Sequence, residues 1–265
     1  MRWSAAGRAD VAAAFDPGVR LGVGHVVSQR RRARLLRAVV DPDAPSDGHP
    51  FDLAVVRGLG EVDLSASVTV LSGDNGSGKS TLVEAIAVAA GFNPEGGSRN
   101  LRFATEHTHS DLHHHLSLRW RGQHEWGWFL RAESFYAMAT HVQRDGDLRG
   151  GFGDLHEVSH GESFLDLALG RFLRPGLYVL DEPEAALSVH GQMVLARLIA
   201  ESVEVGGQFI IATHSPFLLA YPGATVYELD DQGITPVAFD ELAATSLWRR
   251  FLDDPEHFYQ QLLDP

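Results

Sequence analysis

Residues 73–80 read Gly-Asp-Asn-Gly-Ser-Gly-Lys-Ser and match the pattern G-x-x-x-x-G-K-[ST] in full. The apolar run Val68 to Leu71 leads into them. Thr81 to Ala90 follows with helical spacing, placing Leu82, Val83, Ile86 and Ala90 on one face before Gly91 stops it. A strand, a glycine-rich loop and a helix in this order form a cradle for phosphate. Glycines let backbone N–H groups approach an anion, and the helix turns its positive end toward it. Gly73, Asn75, Gly76, Ser77, Gly78, Lys79, Ser80 and Thr81 are the expected phosphate-binding set. Lys79 supplies a point charge, and the Ser80 hydroxyl suits Mg²⁺. Composition sharpens the reading: Lys79 is the sole lysine, against 21 arginines.

The rest of the chain alternates short apolar strands with helices. Strands are expected at 51–57, 61–71, 126–131, 177–180, 208–212 and 225–229, and helices at 163–173 and 188–204. Residues 240–265 have helical spacing with a break near Pro255. This alternation predicts an α/β fold with a mostly parallel central sheet, flanked by helices. The Pro-, Asp- and Gly-rich stretch 41–50 reads as a linker. Residues 1–50 are therefore expected to be a basic tail and linker, with the folded domain at 51–265. Residues 145–154 read as a flexible loop.

Leu177-Tyr178-Val179-Leu180 runs into two adjacent acids, Asp181 and Glu182. Neighbouring side chains on a strand point to different sides, so the two carboxylates are free to do different work. Beside a phosphate loop, Asp181 is placed for the Mg²⁺ shell and Glu182 for a water near the terminal phosphate.

In these motifs the chain resembles the ABC-type ATPases, the class shared by transporter motors and the SMC- and RecF-like DNA-repair ATPases. Gly73–Ser80 is similar to Walker A, and Leu177–Glu182 to Walker B with its glutamate. Glu184–Ser188 is similar to the D-loop, Ile210–Pro216 to the switch-histidine segment, and Val158–Ser163 to the signature motif. Within the class, the likeness is to short stand-alone bacterial ATPases carrying phrases such as GFNPEGGSRN and FLRAESF. The resemblance spans roughly 51–235. It implies a P-loop ATPase fold with an antiparallel β edge and a small helical lobe at about 134–172.

The resemblance also implies ATP hydrolysis with Mg²⁺ by a homodimer that sandwiches two nucleotides. Lys79, Glu182 and His214 are the catalytic candidates, Glu182 as general base and His214 as γ-phosphate sensor. Ser159, Gly161 and Glu162 would close the partner's site. Ser80 and Asp181 would hold the metal. The signature departs from L-S-G-G-Q, with His160 for the first Gly and Glu162 for Gln. No Q-loop glutamine is evident; Glu133, after strand 126–131, is the candidate in its place, and a surface carboxylate is an equal reading. Phe51 lies where the family often puts an aromatic under adenine, although core packing is the preferred reading. Arg57 reads as a solvated strand-end charge.

Other features carry less. Five histidines between 107 and 115 include His109 and His113 at helical i, i+4 spacing, but the H-E-x-x-H arrangement is missing. Trp120, Trp126, Trp128 and Phe129 read as core. Cysteine is absent, which excludes disulfides and thiolate chemistry.

A net charge of −13, from 35 acids and 22 bases, argues against a mainly electrostatic nucleic-acid binder. Residues 1–37 nevertheless hold eight Arg and two Asp, so nucleic-acid contact there stays open. No apolar run suggests a membrane span, and a cytoplasmic location is expected. Three loads fit: an unknown partner protein switched by the ATPase, a membrane transporter subunit, or DNA. The first is preferred, since nothing between Gly91 and Ser159 is long enough for a coiled-coil arm, and little remains for a transporter-gripping lobe.

Overall fold

Among the described residues, six strands form the central sheet, in the order 127–131, 177–181, 208–212, 68–73, 225–230, 233–237. The computed structural model describes residues 33–99, 110–122, 126–132 and 160–264. The strands are β3 (Val68–Gly73), β5 (Gly127–Arg131), β6 (Leu177–Asp181), β7 (Gln208–Ala212), β8 (Thr225–Asp230) and β9 (Gly233–Val237). The first five run parallel, and β9 pairs antiparallel with β8 at one edge. Strands β6 and β7 are buried along their whole length, as a parallel sheet covered on both faces requires. Helices α2 (Lys79–Ala89), α3 (His160–Phe172) and α4 (Val189–Val205) lie between strands in chain order. Ser188 caps α4 by accepting from the Gly191 N–H, and Gly206 ends it in the left-handed conformation.

A second, three-stranded antiparallel sheet has the order β2-β1-β4, from β1 (Arg34–Val40), β2 (Glu61–Asp63) and β4 (Leu116–Arg121). Strand β1 falls inside the stretch expected to be tail and linker. Leu35 and Ala38 are fully buried, which is why this segment is ordered: its apolar residues fill the core under β4. The two sheets are joined by Gln208, a buried amide at the start of β7. Its Oε1 accepts from Leu35 N–H (2.8 Å), and its Nε2 donates to Leu35 O (2.8 Å) and Leu64 O (2.6 Å).

Residues 51–57 differ from the expected strand. They end in a short helix, α1 (Ala54–Arg57). Phe51, Val55 and Leu59 are buried at spacing i, i+4, i+8, a helical period that apolar content alone does not distinguish from a strand. Phe51 sits in the core, edge-on to the His115 ring at 5.3 Å, and Arg57 is exposed. At the far end of the chain, the expected break at Pro255 separates α6 (Ala243–Asp253) from α7 (Pro255–Leu263), after a short α5 (Pro216–Leu219). Asp254 caps α7 by accepting from His257 N–H at 2.9 Å.

Candidate functional site

The loop after β3 lies at the C-terminal end of the parallel strands, where open α/β sheets bind ligands. Gly73 has φ +150°, and a Cβ there would fall 2.3 Å from Leu229 O on β8. Gly78 has φ +93°, and a Cβ there would fall 2.6 Å from Val55 Cγ1 of α1. The loop is thus wedged between β8 and α1, and these two positions leave no room for a side chain. Gly78 is also the residue before α2 and offers no capping side chain, so the first N–H groups of the helix stay available to an anion. A cavity of about 400 Å³ lies against the outer side of the loop, between Ala54, Asp74 to Ser77 and Asp230.

Lys79 is buried and folds back over the loop. Its Nζ donates to Gly73 O (2.7 Å) and Asp74 O (2.9 Å), leaving a third donor for a phosphate oxygen. Burial pushes its pKa down; the carboxylates of Glu182, Asp181, Asp74 and Glu184 push it back up. Ser80 donates its hydroxyl to Asp181 Oδ1 at 2.9 Å, so a motif 101 positions away arrives beside the loop. Burial raises Asp181 to about 6, against the opposing pull of Arg131 and the Ser80 hydrogen bond. The other Asp181 oxygen lies 3.4 Å from Arg131 Nε, and Arg131 in turn pairs with Glu84 at 2.7 Å.

Glu182 adopts φ 48°, ψ 49°. Among the described residues, it is the non-glycine residue with positive φ. Such a conformation costs on the order of 1–3 kcal/mol and is characteristic of functional sites. Its N–H is held by Ala212 O at 2.9 Å, and its Oε1 lies 3.8 Å from His214 Nε2, both side chains being part-exposed. Two residues on, Glu184 accepts from His214 N–H (2.5 Å) and Thr213 Oγ1 (2.7 Å). The loop after β7 is tied further by Ser215 Oγ donating to Gln192 Oε1 at 2.7 Å.

The expected residues Gly73 to Thr81, Asp181, Glu182 and His214 therefore converge at the ends of β3, β6 and β7. Gly161 and Glu162 fall in the first turn of α3. Ser159, Glu133, His107, His109 and the 145–154 loop lie outside the described residues. Sequence reading missed the contributions of Glu184, Arg131 and Glu84. Glu184 is visible only as part of a motif, and Glu84 belongs to none of the motifs.

Two hard oxygen donors, Ser80 Oγ and Asp181 Oδ1, stand side by side next to the phosphate cradle, which fits Mg²⁺ held together with phosphate oxygens. Among the described residues there is no cluster of three or more His, Cys, Asp or Glu side chains able to hold a metal on their own.

Loop, acidic strand end and sheet order define a P-loop nucleotide-binding domain. An AAA-domain family model matches residues 55–119, and a second, described as an AAA domain and candidate AbiEii toxin of a type IV TA system, matches 133–220. The cytochrome c biogenesis ATP-binding export protein CcmA of Rhodopseudomonas palustris (strain BisB18) is 43% identical over 56 residues, 21% of this chain and 28% of that protein. The chain thus spans about a quarter of the length of that relative. CcmA of Escherichia coli (strain K12) is 30% identical over 165 residues, 57% of this chain and 77% of that protein. Among solved structures, cbiO1 from Clostridium perfringens, part of the ABC transporter complex cbiONQ, aligns at TM-score 0.48 and 16% identity over 86% of this chain and 99% of that one. The chain belongs to the ABC-type P-loop ATPase family. Among the described residues, no helix is long and apolar enough to cross a membrane.

Proposed function

We propose that this protein binds and hydrolyses ATP with Mg²⁺, closes as a homodimer around two nucleotides, and switches a partner protein in the cytoplasm. The observation that carries the reading is the convergence of Lys79, Ser80, Asp181, Glu182 and His214 around one loop. Gly73, Asn75, Gly76, Ser77, Gly78 and Thr81 would surround the phosphates with backbone donors. Ser80 and Asp181 would hold Mg²⁺, which offsets phosphate charge when bound. Lys79 neutralises charge on the β- and γ-phosphates. Glu182, turned out of the strand by its left-handed conformation, orients a water as general base, and His214 faces it across the site. Catalysis of this kind rests on positioning and charge neutralisation. Ser159, Gly161 and Glu162 would complete the partner's site, and Glu133 is a further candidate near the metal.

Two measurements test this. Lys79→Ala should abolish nucleotide binding; unchanged binding would remove the phosphate-loop assignment. Glu182→Gln should accumulate a dimer with ATP and Mg²⁺ in size exclusion, and a variant that stays monomeric would contradict the sandwich. A second reading, the ATP-binding subunit of a transporter, is supported by the likeness to proteins named as export ATP-binding subunits. Co-purification with a multi-span membrane protein would favour it.

A further inference from the structure

Beside the metal-binding pair, three charges lie together, two of them buried and Arg131 partly so. Asp181 and Arg131 are register partners on the adjacent parallel strands β6 and β5, so their side chains leave the sheet on the same face. Asp181 offers Oδ1 to Ser80 and has Oδ2 3.4 Å from Arg131 Nε. Arg131 Nη1 is held 2.7 Å from Glu84 Oε2. Glu84 lies one turn after Ser80 on α2, and its Oε1 accepts from Ser110 N–H at 3.2 Å. The Asp181 and Glu84 side chains are only 6% and 12% exposed, so water does little to screen these contacts.

We propose that Arg131, anchored by Glu84, is a positioning residue that orients the Asp181 carboxylate toward Mg²⁺; this rests on the nucleotide-binding reading above. The guanidinium is a planar fork that contacts two carboxylates at once, which a lysine cannot reproduce. With Oδ2 held by Arg131, Oδ1 is the oxygen turned to the Ser80 side. Glu84 cancels the guanidinium charge, so the carboxylate is oriented without placing a net positive charge against a cation. Glu84 and Ser80 share a helix, and the orienting pair therefore moves with the metal-binding hydroxyl. Partners of this kind behind a metal ligand typically change metal affinity by about 10–100-fold when removed.

The test uses the full chain and a non-hydrolysable ATP analogue, titrated by calorimetry with Mg²⁺ and with a chelator in its place. The readout is the factor by which Mg²⁺ tightens binding. Arg131→Met and Glu84→Gln are each expected to lose about tenfold or more of that factor, while affinity under chelator stays near wild type. Arg131→Lys, which keeps the charge and loses the fork, is expected to fall in the same direction. It decides the matter if Arg131→Met does not fold in a parallel thermal melt. Full Mg²⁺ tightening in the arginine variants would overturn the proposal. So would an equal loss with and without metal, since that marks a purely structural pair. A wild-type chain that binds the analogue under neither condition would overturn the nucleotide reading itself, and this proposal with it.

Discussion

Glu184 holds His214 through the backbone: one carboxylate oxygen accepts from His214 N–H at 2.5 Å, and the other from the Thr213 hydroxyl at 2.7 Å. The segment after β6 and the segment after β7 are thereby fixed to each other, and the imidazole is set 3.8 Å from Glu182. Glu184→Ala should leave nucleotide binding intact and slow hydrolysis, by up to about 10²-fold if the histidine shifts by an ångström. Steady-state phosphate release, compared with binding of a nucleotide analogue, checks the split. A loss of binding with no change in turnover per bound site would count against it.

Gly78 combines a left-handed conformation with a neighbour, Val55, that a Cβ would strike at 2.6 Å. Gly78→Ala should destabilise the chain by about 1–2 kcal/mol from backbone strain alone, with the contact adding to it, and should weaken nucleotide binding. Val55→Ala removes the contact but also a buried side chain, so the double variant compared with Val55→Ala alone should show only the backbone part. Thermal melts of the single and double variants separate the two.

Gln208 satisfies Leu35 N–H, Leu35 O and Leu64 O from one buried side chain. Gln208→Ala leaves these groups unpaired at roughly 1–3 kcal/mol each. The expected loss is about 3 kcal/mol or more in denaturant unfolding, with hydrogen exchange accelerated in β1. An unchanged midpoint would show that the two sheets are held together by packing alone.

These cases show what the sequence made legible. The phosphate loop and the Asp181–Glu182 strand end were readable because their chemistry demands fixed residue types at short spacing. Strands β6 and β7 were readable because two-sided burial writes a continuous apolar run. Strand β1 was hidden because its core residues, Leu35 and Ala38, sit among arginines that read as a solvated tail. Helix α1, at the end of the 51–57 run, was hidden because a short apolar run does not declare its period. Glu184, Arg131, Glu84 and Gln208 were hidden because their partners lie 26 to 173 positions away, and only folding brings them together.

Tyr178 is pushed up to about 12 by burial, its hydroxyl lying 2.9 Å from Arg171 O and 2.7 Å from Arg174 O. In the unfolded chain a tyrosine ionises near pH 10. Between these values the folded state keeps a proton that the unfolded state has lost. Tyr178 therefore contributes stability in full below pH 10, and the contribution declines as pH rises toward 12, by roughly 1.4 kcal/mol per pH unit at most. Tyr178→Phe should be less stable at neutral pH by about 1 kcal/mol and should show a shallower alkaline decline in thermal melts.

The most direct test compares wild type and Glu182→Gln for Mg²⁺-dependent phosphate release from ATP, with ATP binding measured on the same samples. Wild type is expected to hydrolyse ATP, and the variant to retain binding while hydrolysis falls by about 10²-fold or more. Hydrolysis unchanged in the variant, or a wild-type protein that neither binds nor cleaves ATP, would contradict the proposed function.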